Sequence, residues 1–263
     1  MNPHAAAGRS GAWDILRRRL RPAVLPLYPL GPYPPRPLIP PCGPALCVVC
    51  RGPARPGFAR CYQCGRHGLL GRSALADAVV PISYAMKGTA FAADLWRYKA
   101  WPGASPAARR SLLALLLVFL HDHGACVWRH AGMSGPGRLA VVPAGSGRPG
   151  PHPLLALSAP YLRLPLTRLA IRPGCQGRDL DLRRFVSDRT AAGADVLLLD
   201  DTWVSGASAQ SAAAALKRAG ARRVAVVVLG RHLDPADPLA GPLAARLSPA
   251  SYDPARCAVH GQA

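Results

Sequence analysis

The chain contains no glutamate. All thirteen of its acidic residues are aspartates. Carboxylate chemistry therefore rests on a short side chain that must sit close to its target. Lysine is nearly absent too: only Lys87, Lys99 and Lys217 occur, and arginine supplies the rest of the formal net charge of +20. Such a charge suggests a polyanion partner. The arginines are scattered, however, apart from Arg17, Arg18, Arg19 and Arg21, and the abundance of Ala, Pro and Gly matches the codon bias of a GC-rich genome. Non-specific nucleic-acid affinity is the expectation; a dedicated nucleic-acid surface is not.

Long apolar runs are also lacking. The longest, 112–120, falls short of the roughly 18 residues a bilayer span needs. Charged and polar residues flank it, so it predicts a buried core helix and no membrane association. The N-terminal arginine cluster is followed by prolines at 22, 26 and 29, which break any leader-like apolar stretch. A cytoplasmic protein is expected, with its cysteines reduced or metal-bound. The oligomeric state is left open by the sequence.

Four segments follow from composition. Residues 1–41, rich in Pro and Arg, predict a disordered tail. Residues 42–70 carry two cysteine pairs. Residues 71–235 alternate fully apolar strand-like runs with helical stretches, which predicts an α/β domain with a parallel sheet flanked by helices. Residues 236–263 read as a C-terminal tail. The expected strands are 78–83, 138–142, 166–171, 183–186, 196–199 and 224–229. The expected helices are 89–99, 107–122, one starting at 153, and 208–219.

The cysteine pairs read Cys47-x₂-Cys50-x₁₀-Cys61-x₂-Cys64. Each pair offers two thiolates from one tight turn, the pattern of a closed tetrahedral Zn²⁺ site of structural kind. Cys42 is a spare thiol. Cys257-x₂-His260 has ligand-like spacing but supplies only two ligands.

The most informative stretch is 196–208. Four apolar residues lead to Asp200 and Asp201, then Thr202, Trp203, Val204, Ser205, Gly206, Ala207 and Ser208 lead into a helix. Ligands of open parallel sheets bind at the carboxyl ends of strands. Backbone N–H groups of such a turn can cradle a phosphate, and Gly206 permits close approach. The aspartates suit ribose hydroxyls, directly or through hydrated Mg²⁺.

This stretch resembles the phosphoribosyl pyrophosphate (PRPP) motif of type I phosphoribosyltransferases. The resemblance implies that Asp200 and Asp201 hold the ribose and act in catalysis. It implies that Thr202, Val204, Ser205, Gly206, Ala207 and Ser208 hold the 5-phosphate, with Mg²⁺ accompanying PRPP. Val204 stands where the family usually has a hydroxyl residue. The Gly/Pro loop after Val142, with Ala144, Gly145, Ser146, Gly147 and Arg148, corresponds to the family's pyrophosphate loop, and 172–184 to its lid. Together with the cysteine module, Ser83-Tyr-Ala-Met-Lys87-Gly88 and Leu95-Trp-Arg-Tyr98-Lys99 resemble the ComF family. The implied activity is transfer of ribose 5-phosphate from PRPP to a base or amine, releasing pyrophosphate. The alternative is a non-catalytic PRPP-binding protein linked to DNA uptake. The family's Arg-Gly-Phe-Asn stretch is not found, so the acceptor is not named by the sequence.

Overall fold

Alternation of side chains along four apolar strands organises the molecule. A computed structural model describes residues 45–144, 152–175, 177, 179–247 and 257–259. Its elements run β1 (Ala45–Leu46), β2 (Pro53–Ala54), α1 (Tyr62–Gly68), β3 (Ala78–Met86), α2 (Ala90–Arg97), α3 (Pro106–His130), β4 (Arg138–Val141), α4 (Pro153–Leu162), β5 (Leu169–Ile171), β6 (Phe185–Ser187), β7 (Asp195–Trp203), α5 (Ala207–Arg218), β8 (Arg223–Leu233) and α6 (Gly241–Leu247). The main sheet has the order β3-β8-β7-β4, and every neighbouring pair is parallel. Leu197, Leu199, Val227 and Ile82 point to the face covered by α2, α3 and α4. Val196, Leu198, Val226 and Val79 point to the other, where the alanines of α5 and three of the paired cysteines pack. With both faces buried the strands need apolar residues at every position, which is how they read in sequence.

Three differences from expectation bear on the site. The strand expected at 196–199 runs on through Trp203, so Asp200, Asp201, Thr202 and Trp203 all belong to the pleated strand. Pairing of Asp200 with Val228 and of Thr202 with Gly230 carries the ladder that far. The helix expected at 107–122 extends from Pro106 to His130, with Ser105 accepting the Ala108 N–H at its cap. By length and composition alone this one described helix could cross a bilayer, and 56% of its apolar window is buried inside the molecule. Among the described residues, the segments near 166–171 and 183–186 meet the main sheet only through an isolated parallel bridge between Leu166 and Leu139 of β4. Leu169–Ile171 and Phe185–Ser187 pair with each other as a short antiparallel ribbon, β5–β6. Each of these strands has three residues and, Phe185 apart, side chains that reach solvent.

Two further observations bear on the domain limits. Helix α6 lies within the segment read as a tail, and its Leu243, Ala244 and Leu247 cluster with Tyr84, Met86 and Leu233. Residues 1–41 and most of the pyrophosphate-loop candidate fall outside the described residues.

Candidate functional site

At the carboxyl end of β7 the two aspartates occupy different environments. Asp201 is buried, and its Oδ2 accepts from the Tyr98 hydroxyl at 2.5 Å and from Lys99 Nζ at 2.7 Å. Burial works against its charge, but the Lys99 ammonium and these hydrogen bonds outweigh that, holding the carboxyl below the usual range. Asp200 is half-buried, and its Oδ1 accepts the Asp201 N–H at 2.9 Å. Burial, and then the Asp201 charge beside it, push Asp200 well above the usual range. One carboxylate is thus anchored and ionised, and its neighbour faces a cleft and holds its proton more tightly.

The cleft has a volume of about 520 Å³. Asp200, Asp201, Thr202 and Ser208 form one side of it, and Val142, Pro143, Ala144 and His152 another. Trp96, Lys99, Ala100 and Trp101 complete it. The structure therefore brings the aspartate pair, the start of α5 and the end of β4 to one place. Such convergence follows from β4 and β7 being adjacent and parallel, so that both strands end on the same edge.

The turn between β7 and α5 is shaped by one close packing contact. Gly206 has φ +83°, and a Cβ there would lie 2.0 Å from the buried Trp203 ring. Only glycine fits both conditions. Ser205 Oγ accepts the Ala207 N–H at 3.3 Å, while Val204 is 60% exposed. Ser208 Oγ accepts from Arg184 Nη1 at 3.2 Å. Of the pyrophosphate-loop candidates, Ala144 lines the cleft; Gly145, Ser146, Gly147 and Arg148 lie outside the described residues.

Several residues at this site carried little or no sequence signal. Arg184 is buried, with its guanidinium at the first turn of α5 and over the Phe185 ring at 5.0 Å. It comes from the stretch expected to be a strand. Trp96 and Trp101 are 69% and 75% exposed on the cleft wall. Large apolar rings left in water beside a cleft offer a stacking surface for a planar group. Tyr98 and Lys99 were visible as part of a motif, but their shared partner Asp201 lies a hundred residues away. His152 both lines the cleft and caps α4, its Nδ1 accepting the Leu154 N–H at 3.1 Å.

The four paired cysteines form a second centre on the α5 face. Cys47 and Cys50 sit on the turn between β1 and β2; Cys61 and Cys64 sit at the start of α1. Their four sulfurs lie within 4.8 Å of one another, with Cys50 and Cys61 3.8 Å apart. Tetrahedral Zn²⁺ with sulfur at about 2.3 Å separates its ligands by about 3.8 Å. A Cys₄ donor set is therefore placed to bind a metal and is compatible with structural zinc.

Arg231 joins the two centres. Its guanidinium is buried; burial disfavours the charge, but Cys50 and Cys61 favour it more strongly and hold it above the usual value. Arg231 Nη1 donates to the carbonyl of Trp203 at 3.1 Å, directly beneath the Gly206 turn. A Cβ on Gly52 would lie 2.3 Å from Arg231 Nη2, so the module's backbone rests on the guanidinium. Tyr84 donates to the Arg51 carbonyl at 2.5 Å and adds a second tie.

A further cleft of about 330 Å³ lies near the amino-terminal end of β3, lined by Val49, His67, Ala76 and His130 among others. It lacks the carboxylate pair and the helix start, and the chemistry points to the cleft at the carboxyl edge.

The split between the aspartates sets a pH dependence. Replacing Asp201 by Asn removes the negative charge that helps raise Asp200, so Asp200 ionises at lower pH. For a ligand that requires ionised Asp200, the acid limb of affinity against pH moves to lower pH in Asp201→Asn. Calorimetric titration across the weakly acidic range checks this; an unmoved limb contradicts the coupling.

Compared with known proteins, the chain matches no family model and no curated sequence.

Proposed function

We propose that the cleft binds PRPP and that the chain is a ComF-like phosphoribosyltransferase of the type I fold. The observation that carries this reading is the pair Asp200–Asp201 at a strand's carboxyl end, immediately before a glycine turn and the start of α5, in a cleft shared with the end of β4. A helix start with a permissive glycine suits the 5-phosphate. Ser208 and Arg184 beside it supply a hydroxyl and a guanidinium of matching chemistry. The open carboxylate, Asp200, suits the ribose hydroxyls. Asp201, fixed by Tyr98 and Lys99, orients its neighbour and keeps negative charge near the sugar. The loop 144–148 takes the pyrophosphate.

In the transfer, a nitrogen lone pair of the acceptor forms a bond to C1 of the ribose. The C1–O bond breaks, and pyrophosphate leaves with its electron pair; the acceptor nitrogen gives up its proton to the departing pyrophosphate or to water. The transition state carries positive charge on the sugar ring, which the aspartates stabilise, and the site contributes mainly positioning and electrostatics. Mg²⁺, when bound with PRPP, neutralises pyrophosphate charge, and Asp200 is the residue suited to hold it through water. Trp96 and Trp101 favour a planar acceptor over an aliphatic amine.

Release of pyrophosphate from PRPP in the presence of Mg²⁺ and a panel of nucleobases and amines tests the reading. Acceptor-dependent release supports transfer. PRPP binding without release from any acceptor, together with salt-sensitive DNA binding lost on deleting residues 1–70, favours the alternative of a non-catalytic protein that engages DNA.

A further inference from the structure

Outside both centres, a second group of metal-ligating side chains converges in the core. His123 and Cys126 are one turn apart on α3, a spacing that places them on one face. Cys257 comes from the far end of the chain and is fully buried. One nitrogen and two sulfurs from these residues all lie within 4.8 Å of one another.

We propose that His123, Cys126 and Cys257 form a second metal site, separate from the four-cysteine centre, that pins the C-terminal segment onto α3. Three considerations carry the assignment. The first is composition: two thiolates and an imidazole select zinc, or another soft or borderline ion, over Mg²⁺ or Ca²⁺. A tetrahedral zinc separates such ligands by about 3.4–3.8 Å, within reach of small side-chain rotations from the observed spacing.

The second is surroundings. His123 is 3% exposed in a neighbourhood of apolar side chains, with the Phe119 ring 5.4 Å from its own, centroid to centroid. Burial there keeps water away from the ligand atoms, as in closed structural metal sites.

The third is the C-terminal segment itself. Cys257 and Ala258 enter the core cluster, and Val259 packs against it, although none of them belongs to a helix or strand. Ordering backbone outside a helix or strand costs about 1–2 kcal/mol per residue. Metal binding supplies ordering energy to segments of this kind. On loading, the two thiols lose their protons and the histidine binds as neutral imidazole.

Metal analysis of the full-length protein, equilibrated with zinc and freed of excess by gel filtration, tests the site. About two equivalents are expected for the native chain, and about one each for Cys257→Ser and Cys126→Ser with unchanged circular dichroism. Cobalt substitution gives an independent readout. The absorption lost on Cys257→Ser has the visible bands of a mixed sulfur–nitrogen site, and the remainder those of a four-sulfur site. A single equivalent in the native chain overturns the proposal. So does a Cys257→Ser variant that keeps both ions, or a Cys126–Cys257 disulfide found by mass in unreduced protein. None of these measurements depends on what the cleft binds.

Discussion

Asp200→Asn is expected to weaken the proposed PRPP binding by about 10- to 100-fold and, at neutral pH, to raise the melting temperature. The first effect follows from losing a charge-assisted hydrogen bond to the ribose, worth about 1.5–3 kcal/mol. The second follows from linkage. Asp200 is raised above its unfolded value by burial and by Asp201. The folded chain therefore holds that proton more tightly than the unfolded chain does. Folding carries no penalty below the unfolded pKa, and the penalty grows as pH rises through the folded one. An amide cannot ionise, so the variant escapes the penalty, and a gain of a few degrees is expected. Asp201→Asn behaves differently: its carboxyl is lowered in the folded state, and the variant leaves Tyr98 and Lys99 without the anion that orders them. It loses stability at neutral pH. Opposite thermal shifts in the two variants, read by calorimetry with PRPP titrated into each, separate loss of a ligand contact from general damage. Equal destabilisation by both contradicts the environments described.

Stripping zinc from the proposed four-cysteine site is expected to lower the melting temperature by about 6–20 °C and to weaken the proposed ligand binding in the distant cleft. Structural zinc contributes about 10–16 kcal/mol in small zinc-finger peptides, as much as the whole stability of an ordinary domain. Two two-residue strands and a seven-residue helix cannot replace it. Without the metal the thiols take up protons, and Arg231 becomes a buried cation without its counter-charge. Breaking such a pair costs about 3–5 kcal/mol, which at this chain length corresponds to the stated shift. Arg231 also holds the Trp203 carbonyl under Gly206. Loss of its fixed position loosens the turn that would receive the phosphate. Scanning calorimetry of the full chain before and after chelation measures the first effect, and Cys61→Ser reproduces it. An unchanged melting temperature after complete removal of metal contradicts the role given to the cysteines and Arg231.

What could be read from the sequence depended on how local the physics was. The stretches 78–83, 196–199 and 224–229 announce themselves as strands because both of their faces are buried and nearly every position is apolar; the structure extends them to Ala78–Met86, Asp195–Trp203 and Arg223–Leu233, where polar residues enter. The cysteine spacing was equally local, since a turn and a helix start each set two ligands. The β7–α5 turn was visible through Gly206 and the acids before it, but Trp203, the side chain that makes glycine necessary, has no signature of its own. Long-range partnerships were not legible. Nothing near Asp201 indicates Tyr98 or Lys99, and nothing near Cys50 indicates Arg231, because parallel neighbours are joined by crossovers of many residues. Periodicity marks 166–171 and 183–186 as strands, and strands form at Leu169–Ile171 and Phe185–Ser187, but their partners carry no local signal. A short ribbon and a sheet strand share the same two-residue pattern, and only partner geometry tells them apart. Trp96 belongs to the 95–99 motif and Trp101 to none, and nothing in the sequence marks either as exposed on the cleft wall.

The central claim is that the edge formed by Asp200, Asp201 and the start of α5 is a sugar-phosphate site. Isothermal titration of the native chain with PRPP, with and without Mg²⁺, tests it most directly. The account predicts saturable binding of PRPP at one site per chain, strengthened by Mg²⁺. It also predicts weaker binding of ribose 5-phosphate and of pyrophosphate, each of which fills only part of the cleft. No heat of binding for any of the three ligands, from a chain that calorimetry shows to be folded, would contradict it.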